Sequence, residues 1–378
     1  MNMDNVKVIV VGSNHYNTLW VVRTLGGYGI KPSVVISSKS PKCYVLKSKY
    51  IRESWVVDDE NGLLNILRSN CQSHSNKCFL FVTDDVLAET IDHYYEELKD
   101  NYVLPGCENK GERLGYWMDK WNMIQTAKDS GFCVPWSVKI NLEDEDYPPV
   151  SEMPFPCILK PLKSSYGTKY DVRICHNETE FIATIDAMKG KCNHYIMQEF
   201  IEPEYELTID GLRFREGNYT LFPGILRKDK TCTSTHNLGM VALAHLERNV
   251  DRYINSAVLC KFLSQIDYDG LCSFDLFVKD GKTYFLESNL RTDGDMFIYT
   301  TAGVNFPWIW MSLHLGKKTD DIEVGNRTTY GMIEISYMKY ADWRHPWTII
   351  RDWWQTDCYS IFSWKDMKPF FYKFIYAI

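Results

Sequence analysis

The chain has 378 residues, 45% of them hydrophobic and 24% charged, the profile of a globular protein long enough for roughly two or three cores. A net charge of -7 excludes a nucleic-acid binder, whose phosphate contacts need a basic surface, so any anion site must be a local pocket. Twelve cysteines without CxxC spacing, several inside apolar runs (Cys157, Cys260, Cys272), read as reduced thiols and exclude a disulfide framework or zinc site.

In chain order, 6–12 (VKVIVVG) reads as a buried parallel strand. It is too short, and lacks the basic flank, to be a secretory leader. Residues 17–26 read as a helix with Leu19, Val22 and Leu25 on one side, stopped at Gly29. Strands follow at 31–37, 51–57 and 78–82, with a helix at 62–69 between the last two. This alternation predicts a small doubly wound parallel sheet. GxGxxG is missing, so a dinucleotide site is not expected; Gly12, Ser13 and Asn14 form either a plain turn or a carboxylate site at the strand ends.

The pattern changes near 109. A helix over 120–130 closes at Gly131, and an acidic, proline-bearing linker (143–154) follows. Next come a strand ending at Lys160, a helix over 178–188, and strands at 194–200, 206–214, 219–226 and 239–244. A helix is expected over 250–266, then strands at 273–278 and 283–287 joined by Asp280-Gly281, a hairpin signal. No apolar run reaches the ~18–20 residues of a membrane span, and a cytoplasmic protein is expected.

Three stretches suggest chemistry. In PFPCILKPLKSSYGTKYDVRIC (154–175) an apolar strand ends in Lys160, and a buried lysine is costly unless something negative meets it. The loop with Ser164, Ser165, Gly167 and Thr168 lets backbone N–H groups approach a polyanion. The same stretch also fits a hairpin whose lysine snorkels to water. In the 273–291 hairpin, Asp275 falls close to opposite 286 and so beside Glu287, while Glu287 and Asn289 share a face. Two carboxylates and an amide oxygen suit Mg²⁺, and Arg291 adds a planar cation for a phosphoryl oxygen. A solvated hairpin with incidental acids is the plain alternative, weakened by the apolar Phe274, Leu276, Phe285 and Leu286 around it. Third, the backbone at 199–201 (Glu199, Phe200, Ile201) suits an adenine edge, and Glu206 suits ribose hydroxyls.

The lysine closing PCILKP, the loop SSYGT, the hinge QEFI with a glutamate seven positions on, D…ESNLR, and MDKWNMIQTAKDSGFCVP upstream together resemble the ATP-grasp superfamily. The front of the chain resembles the Rossmann-like domain that precedes ATP-grasp in carbamoyl-phosphate-synthase-like and D-aspartate-ligase-like members. The resemblance covers roughly residues 5–315. It implies an α/β Rossmann-like domain over 1–112, an α+β ATP-grasp domain with antiparallel sheets over 113–315 (lid 113–196, larger catalytic part 197–315), and an aromatic-rich extension over 316–378. Lys120 and Lys160 would hold ATP phosphates beneath a flap of Ser164, Ser165, Gly167 and Thr168. Glu199, Phe200 and Ile201 would meet adenine and Glu206 ribose. Asp275, Glu287 and Asn289 would hold Mg²⁺ (or Mn²⁺), and Arg291 would face the transferred phosphoryl group.

The sequence departs from that pattern in places. Leu290 stands where the family usually has proline, the flap is rich in serine, and 227–239 lacks the usual glycine run. Arg227 and Lys228 either contact an acidic substrate, with Arg227 beside Lys160 and Arg291 as a catalytic candidate, or lie in a solvated turn. His15, His236 and His245 are scattered, and none is expected to be a general base. The tail, with Trp343, Trp347, Trp353, Trp354 and Trp364, is expected to pack into the core and lid; docking to a membrane face or to a partner is the alternative, since Lys365, Lys368 and Lys373 mix with the aromatics. The expected function is a Mg-ATP-dependent carboxylate–amine ligase working through an acylphosphate on small molecules, as a homodimer. The alternatives are a bicarbonate-using carbamoyl-phosphate-synthase-like enzyme and a non-catalytic nucleotide-binding protein.

Overall fold

The computed structural model describes residues 6–71, 78–108, 111–143, 147–163, 171–190, 192–231 and 241–376. The flap residues Ser164, Ser165, Gly167 and Thr168 lie outside these, as does His236. Strands β1 (Val8–Ser13), β2 (Ser33–Ser37), β3 (Ser54–Val57), β4 (Cys78–Val82) and β5 (Tyr102–Val103) form a parallel sheet in the order β3-β2-β1-β4-β5. Its middle strands are buried on both faces, which is why they read as unbroken apolar runs. A Cβ on Gly12 would stand 2.0 Å from Thr83 Oγ1 and 2.3 Å from Thr18 Oγ1. Glycine there lets β4 and the helix Tyr16–Gly26 close on the strand.

Strand β6 (Gly106–Cys107) crosses to a later sheet. Strands β7 (Ser137–Asn141), β8 (Cys157–Pro161), β9 (Arg173–Cys175) and β10 (His194–Glu199) make a small antiparallel sheet in the order β7-β10-β8-β9. The helix Glu178–Met188 covers it, seating Phe181 and Ile185 on Ile140, Leu159 and Met197. Asn177 caps that helix by accepting from the Glu180 N–H at 3.0 Å, and Glu180 reaches back to the His176 N–H at 2.8 Å.

The large sheet holds β11 (Tyr205–Phe214), β12 (Tyr219–Leu221), β13 (Ile225–Thr231), β14 (Val241–Glu247), β15 (Tyr268–Lys279), β16 (Lys282–Asn289), β17 (Tyr330–Met332) and β18 (Cys358–Tyr359). Its path is β16-β15-β11-β13-β14-β17-β18, with β12 on β11 and β6 on β15. Helices Lys120–Ser130 and Ser256–Gln265 pack on one face with Phe274 and Phe285; Met296–Thr301 and Phe306–His314 pack on the other with Leu212 and Leu246.

Three expectations change. The strand expected over 219–226 is two strands, broken at Phe222-Pro223-Gly224, where proline cannot donate to a ladder. Arg227 and Lys228 therefore sit inside β13 and not in a solvated turn. The helix expected over 250–266 is a 3-10 turn, Val250–Arg252, and a separate helix capped by Asn255.

The third change is in register. From Lys279↔Lys282 to Leu276↔Phe285 the hairpin pairs regularly; then Asp275 pairs with Glu287, leaving Leu286 as an extra residue. Regular pairing would set Glu287 opposite Phe274, on the apolar face. The bulge carries Glu287 and Asn289 to the face of Asp275 and Ser273.

The tail also differs. Buried acids dock it: Glu334 accepts from the N–H groups of Ile361 (3.1 Å) and Phe362 (2.7 Å). Asp366 meets Arg23 at 3.1 Å, Ser48 Oγ at 2.7 Å and the Lys49 N–H at 3.0 Å. Its tryptophans face outward instead of into a core, Trp347, Trp354 and Trp364 being 80%, 89% and 81% exposed. No helix among the described residues is long and apolar enough to cross a membrane.

Candidate active site

Alternation along β11, β13 and β15 sends Glu206, Thr208, Asp210, Lys228, Ser273 and Asp275 to one face, and the bulge adds Glu287 and Asn289. Asp275 accepts from Thr208 Oγ1 at 2.6 Å, Lys228 Nζ at 3.4 Å and Asn289 Nδ2 at 3.3 Å. Lys228 also meets Glu206 at 3.1 Å. Burial opposes the Lys228 charge, but Asp275 and Glu206 overcome it and hold its pKa well above the usual lysine value.

Lys160, on β8 of the small sheet, and Lys120, at the start of the helix capped by Asp119, both act on Glu287. The Lys120 N–H bonds to the Leu162 carbonyl at 2.9 Å, which ties this helix to the strand end. Burial lowers Lys160 to about 8; Glu287 holds it up and Lys120 depresses it further. Burial likewise raises the Glu287 carboxyl, with Asp275 adding to the rise and the two lysines opposing it. The expected phosphate lysines and the expected metal carboxylates thus share one electrostatic site.

Arg291 is held from three sides: its Nε donates to Asp85 Oδ1, Nη2 to Asn289 Oδ1 at 3.2 Å, and Nη1 to the Thr292 carbonyl at 3.0 Å. Burial favours charge on neither partner, yet the pairing keeps Asp85 below the usual carboxylate range and Arg291 above the usual arginine one. Leucine at 290 leaves this orientation intact: Leu290 is buried in the core.

Other expected residues are placed differently. Arg227, opposite Leu207, lies on the far face of the sheet, its guanidinium 4.3 Å from the Tyr205 ring centroid, so it does not join the cluster. Its neighbour Lys228 does. The Glu199 and Phe200 N–H groups bond to the carbonyls of Trp136 and Pro156, both at 2.9 Å, and so are spent within the sheet, while Ile201 follows beyond both ladders. Asn14 is tied into a turn by the Lys42 carbonyl at 3.4 Å and the Val45 N–H at 3.3 Å. His15 lies near Arg291; its side chain is exposed, and desolvation followed by Arg291 lowers its pKa. His245 is paired elsewhere, 2.7 Å from Asp229.

The structure adds residues the sequence reading gave no role. Asp85 follows the Thr83-Asp84 end of β4, and the carboxyl end of a parallel strand was the available signal. Asp210 is 2% exposed and its Oδ2 has no hydrogen-bond partner. Burial, then Asp293 and Asp295, push its carboxyl well above the usual range. Asp295 is pushed to about 7 by burial and Asp293. Asp293 itself accepts from Ser273 Oγ at 3.1 Å. Acidic groups outnumber cations on this side of Lys228, and Asp210 and Asp295 are pushed toward the neutral form.

Residues 125–301 match the family model of the ATP-grasp domain. The chain carries an ATP-grasp domain. Formate-dependent phosphoribosylglycinamide formyltransferase of Francisella tularensis subsp. novicida is 21% identical over 333 residues, covering 85% of this chain and 80% of that protein. The L-amino acid ligase of Bacillus licheniformis superposes with a TM-score of 0.64 at 14% identity, over 86% of this chain and 79% of that one. The biotin carboxylase domain of Hydrogenobacter thermophilus 2-oxoglutarate carboxylase, solved with MgADP, ADP and bicarbonate, gives 0.66 at 16% identity, over 86% and 73%. At these identities the structural likeness is one of fold: an ATP-grasp fold behind a parallel α/β sheet.

Proposed function

We propose that the protein is an ATP-dependent carboxylate–amine ligase. A substrate carboxylate takes the terminal phosphoryl group of ATP, giving ADP and an acylphosphate; an amine then displaces phosphate and forms an amide. The observation that carries this reading is the bulged hairpin, which turns Glu287 and Asn289 toward Asp275 and within the field of Lys160 and Lys120.

The donor set fits a divalent ion of the Mg²⁺ class (Mg²⁺ or Mn²⁺). Glu287 is a half-buried carboxylate whose pKa is raised by desolvation, a group that gains from a cation. Among the described residues no three His, Cys, Asp or Glu side chains gather to cage a metal alone, which suits an ion bound by one or two carboxylates and by phosphate oxygens. Glu287, Asp275 and Asn289 would hold it, and it would supply charge neutralisation on the phosphates. Lys160 and Lys120 bind and orient the phosphate tail; the flap at 164–168 would cover it. Ile201 meets the adenine edge. Glu206, engaged by Lys228, keeps one oxygen for ribose. Arg291, already oriented by Asp85, Asn289 and Asp293, keeps one Nη2 hydrogen for the transferred group. Lys228 holds Asp275 in place and keeps two carboxylates together without mutual repulsion. The surplus carboxylates Asp210, Asp293 and Asp295 favour a cationic group, such as the ammonium of an amino-acid substrate.

Phosphate release with Mg·ATP over amino acids, taken singly and in pairs, tests the reading. Release that needs an acid and an amine together, with an amide product, is expected. Nucleotide binding with no release across the panel would replace the enzyme by a nucleotide-binding protein.

A further inference from the structure

Of the 18 large apolar or aromatic side chains that stand exposed among the described residues, 12 fall between residues 335 and 375. Monomer surfaces seldom carry such a concentration without using it. The helix Pro346–Gln355 is amphipathic in the reverse of the usual sense. Asp352 faces inward, bonded to Tyr337 Oη at 2.6 Å and paired with Lys230, while Trp347, Ile350, Arg351 and Trp354, at i, i+3, i+4 and i+7, face out. Ring contacts carry the surface onward. Trp353 lies 5.3 Å from Tyr359, Tyr359 5.9 Å from Phe362, and Phe362 4.7 Å from Trp364 and 5.2 Å from Phe370, which touches Phe371 and Phe374 on the last helix, Lys368–Tyr376.

The charges on this surface choose its occupant. Residues 335–375 hold six Lys and Arg against four Asp, although the whole chain is acidic. Two of those acids, Asp352 and Asp366, point inward onto Lys230 and Arg23. Outward charge is therefore positive, with Arg351, Lys365 and Lys368 exposed among the aromatics. A second copy would lay this patch on itself, since a two-fold interface repeats one surface, and would bring like charges together. Anionic lipid headgroups meet the cations, and tryptophan rings settle at the headgroup level.

We infer that residues 335–375 form a membrane-docking face, with helices Pro346–Gln355 and Lys368–Tyr376 lying in the surface of an anionic bilayer. The binding is interfacial and independent of the ligase reading. The test is co-sedimentation of the full chain with phosphatidylcholine vesicles, with and without phosphatidylserine, and quenching of tryptophan fluorescence by lipid with brominated acyl chains. Binding that needs phosphatidylserine and weakens with salt is expected. Trp347→Ser with Trp354→Ser, both solvent-exposed and harmless to the fold by circular dichroism, should lower partitioning about tenfold and reduce quenching. Lys365→Gln with Lys368→Gln should lower it roughly tenfold on the anionic vesicles. Absence of binding, equal binding to both vesicles, or binding indifferent to the tryptophan pair would overturn the inference. So would a dimer, seen by sedimentation equilibrium, that the tryptophan pair dissolves while vesicles go unbound.

Discussion

Replacing Lys228 by Met keeps the aliphatic stem and removes the charge. The ammonium lies 3.1 Å from Glu206 and 3.4 Å from Asp275, with side-chain exposures of 6%, 11% and 15%. At an effective dielectric near 20 each contact is of order 5 kcal/mol before desolvation, which cancels much of it. What remains decisive is the pair of carboxylates left behind: removing one partner of a buried ion pair costs about 3–5 kcal/mol, against a whole-domain stability of roughly 5–15. The midpoint of thermal unfolding should fall by roughly ten degrees. The sign with pH follows from linkage. In the wild type the lysine pKa lies above its ordinary 10.5, so its stabilisation is complete at neutral pH and is lost only as pH rises through the folded-state value. In the variant the orphaned carboxylates take up protons, so the deficit should shrink as pH falls from 7 toward 5. Urea unfolding at both pH values measures this. A loss below about 1 kcal/mol at pH 7, or a deficit unchanged at pH 5, would refute the buried triad.

Lys160 titrates near 8 against an ordinary 10.5, so between those values the unfolded chain holds a proton the folded one has lost, and this group's contribution to stability rises with pH there; a bound triphosphate should restore the proton, and titration calorimetry above pH 8 in buffers of differing ionisation enthalpy should show uptake on nucleotide binding that Lys160→Met abolishes. Glu287→Gln should raise the unfolding midpoint slightly at pH 7, because burial disfavours the charge, yet lower substrate-dependent ADP release by at least about a hundredfold; near-normal turnover rejects the metal assignment. Asp210→Asn should remove the cost of burying an unpartnered carboxyl whose charge is disfavoured and stabilise the fold while raising KM for a cationic substrate; unchanged KM would remove Asp210 from the substrate pocket. Arg23→Ala strands Asp366 and should cost about 3–5 kcal/mol, with limited proteolysis then cutting beyond residue 360; a tail that stays resistant would contradict the docking described.

Much of the fold was legible because its signals are local. The front sheet's strands are short apolar runs separated by helical periods, and the Asp280-Gly281 turn has both residues in the left-handed region, Asp280 at φ 50 and Gly281 at φ 69, as that dipeptide suggests. The identity of the site residues on β15 and β16 was legible too, but their shared face was not: regular counting from the turn turns Glu287 to the wrong side, and Leu286 carries no mark of a bulge. Arg227 and Lys228 show a related limit. Adjacent cations in a strand point to opposite faces, so one joined the carboxylates and the other a tyrosine ring, and nothing local says which. Asp85, Asp293 and Asp295 acquire meaning only from long-range packing. The tail misled because tryptophan is read as core material, whereas here three buried acids hold the segment and its rings are left over.

The seam along residues 360–366 has a mechanical consequence. Trp20 Nε1 donates to the Ser360 carbonyl at 2.6 Å, and Arg23 grips Asp366, while Glu334, at the start of the helix Glu334–Tyr340 that follows β17, clasps the same strip. The front domain and the large sheet are riveted into one anvil. The small β7–β10 sheet stands outside this seam, so the chain's far end braces the front sheet against the large one and leaves the small sheet to be held by its own contacts.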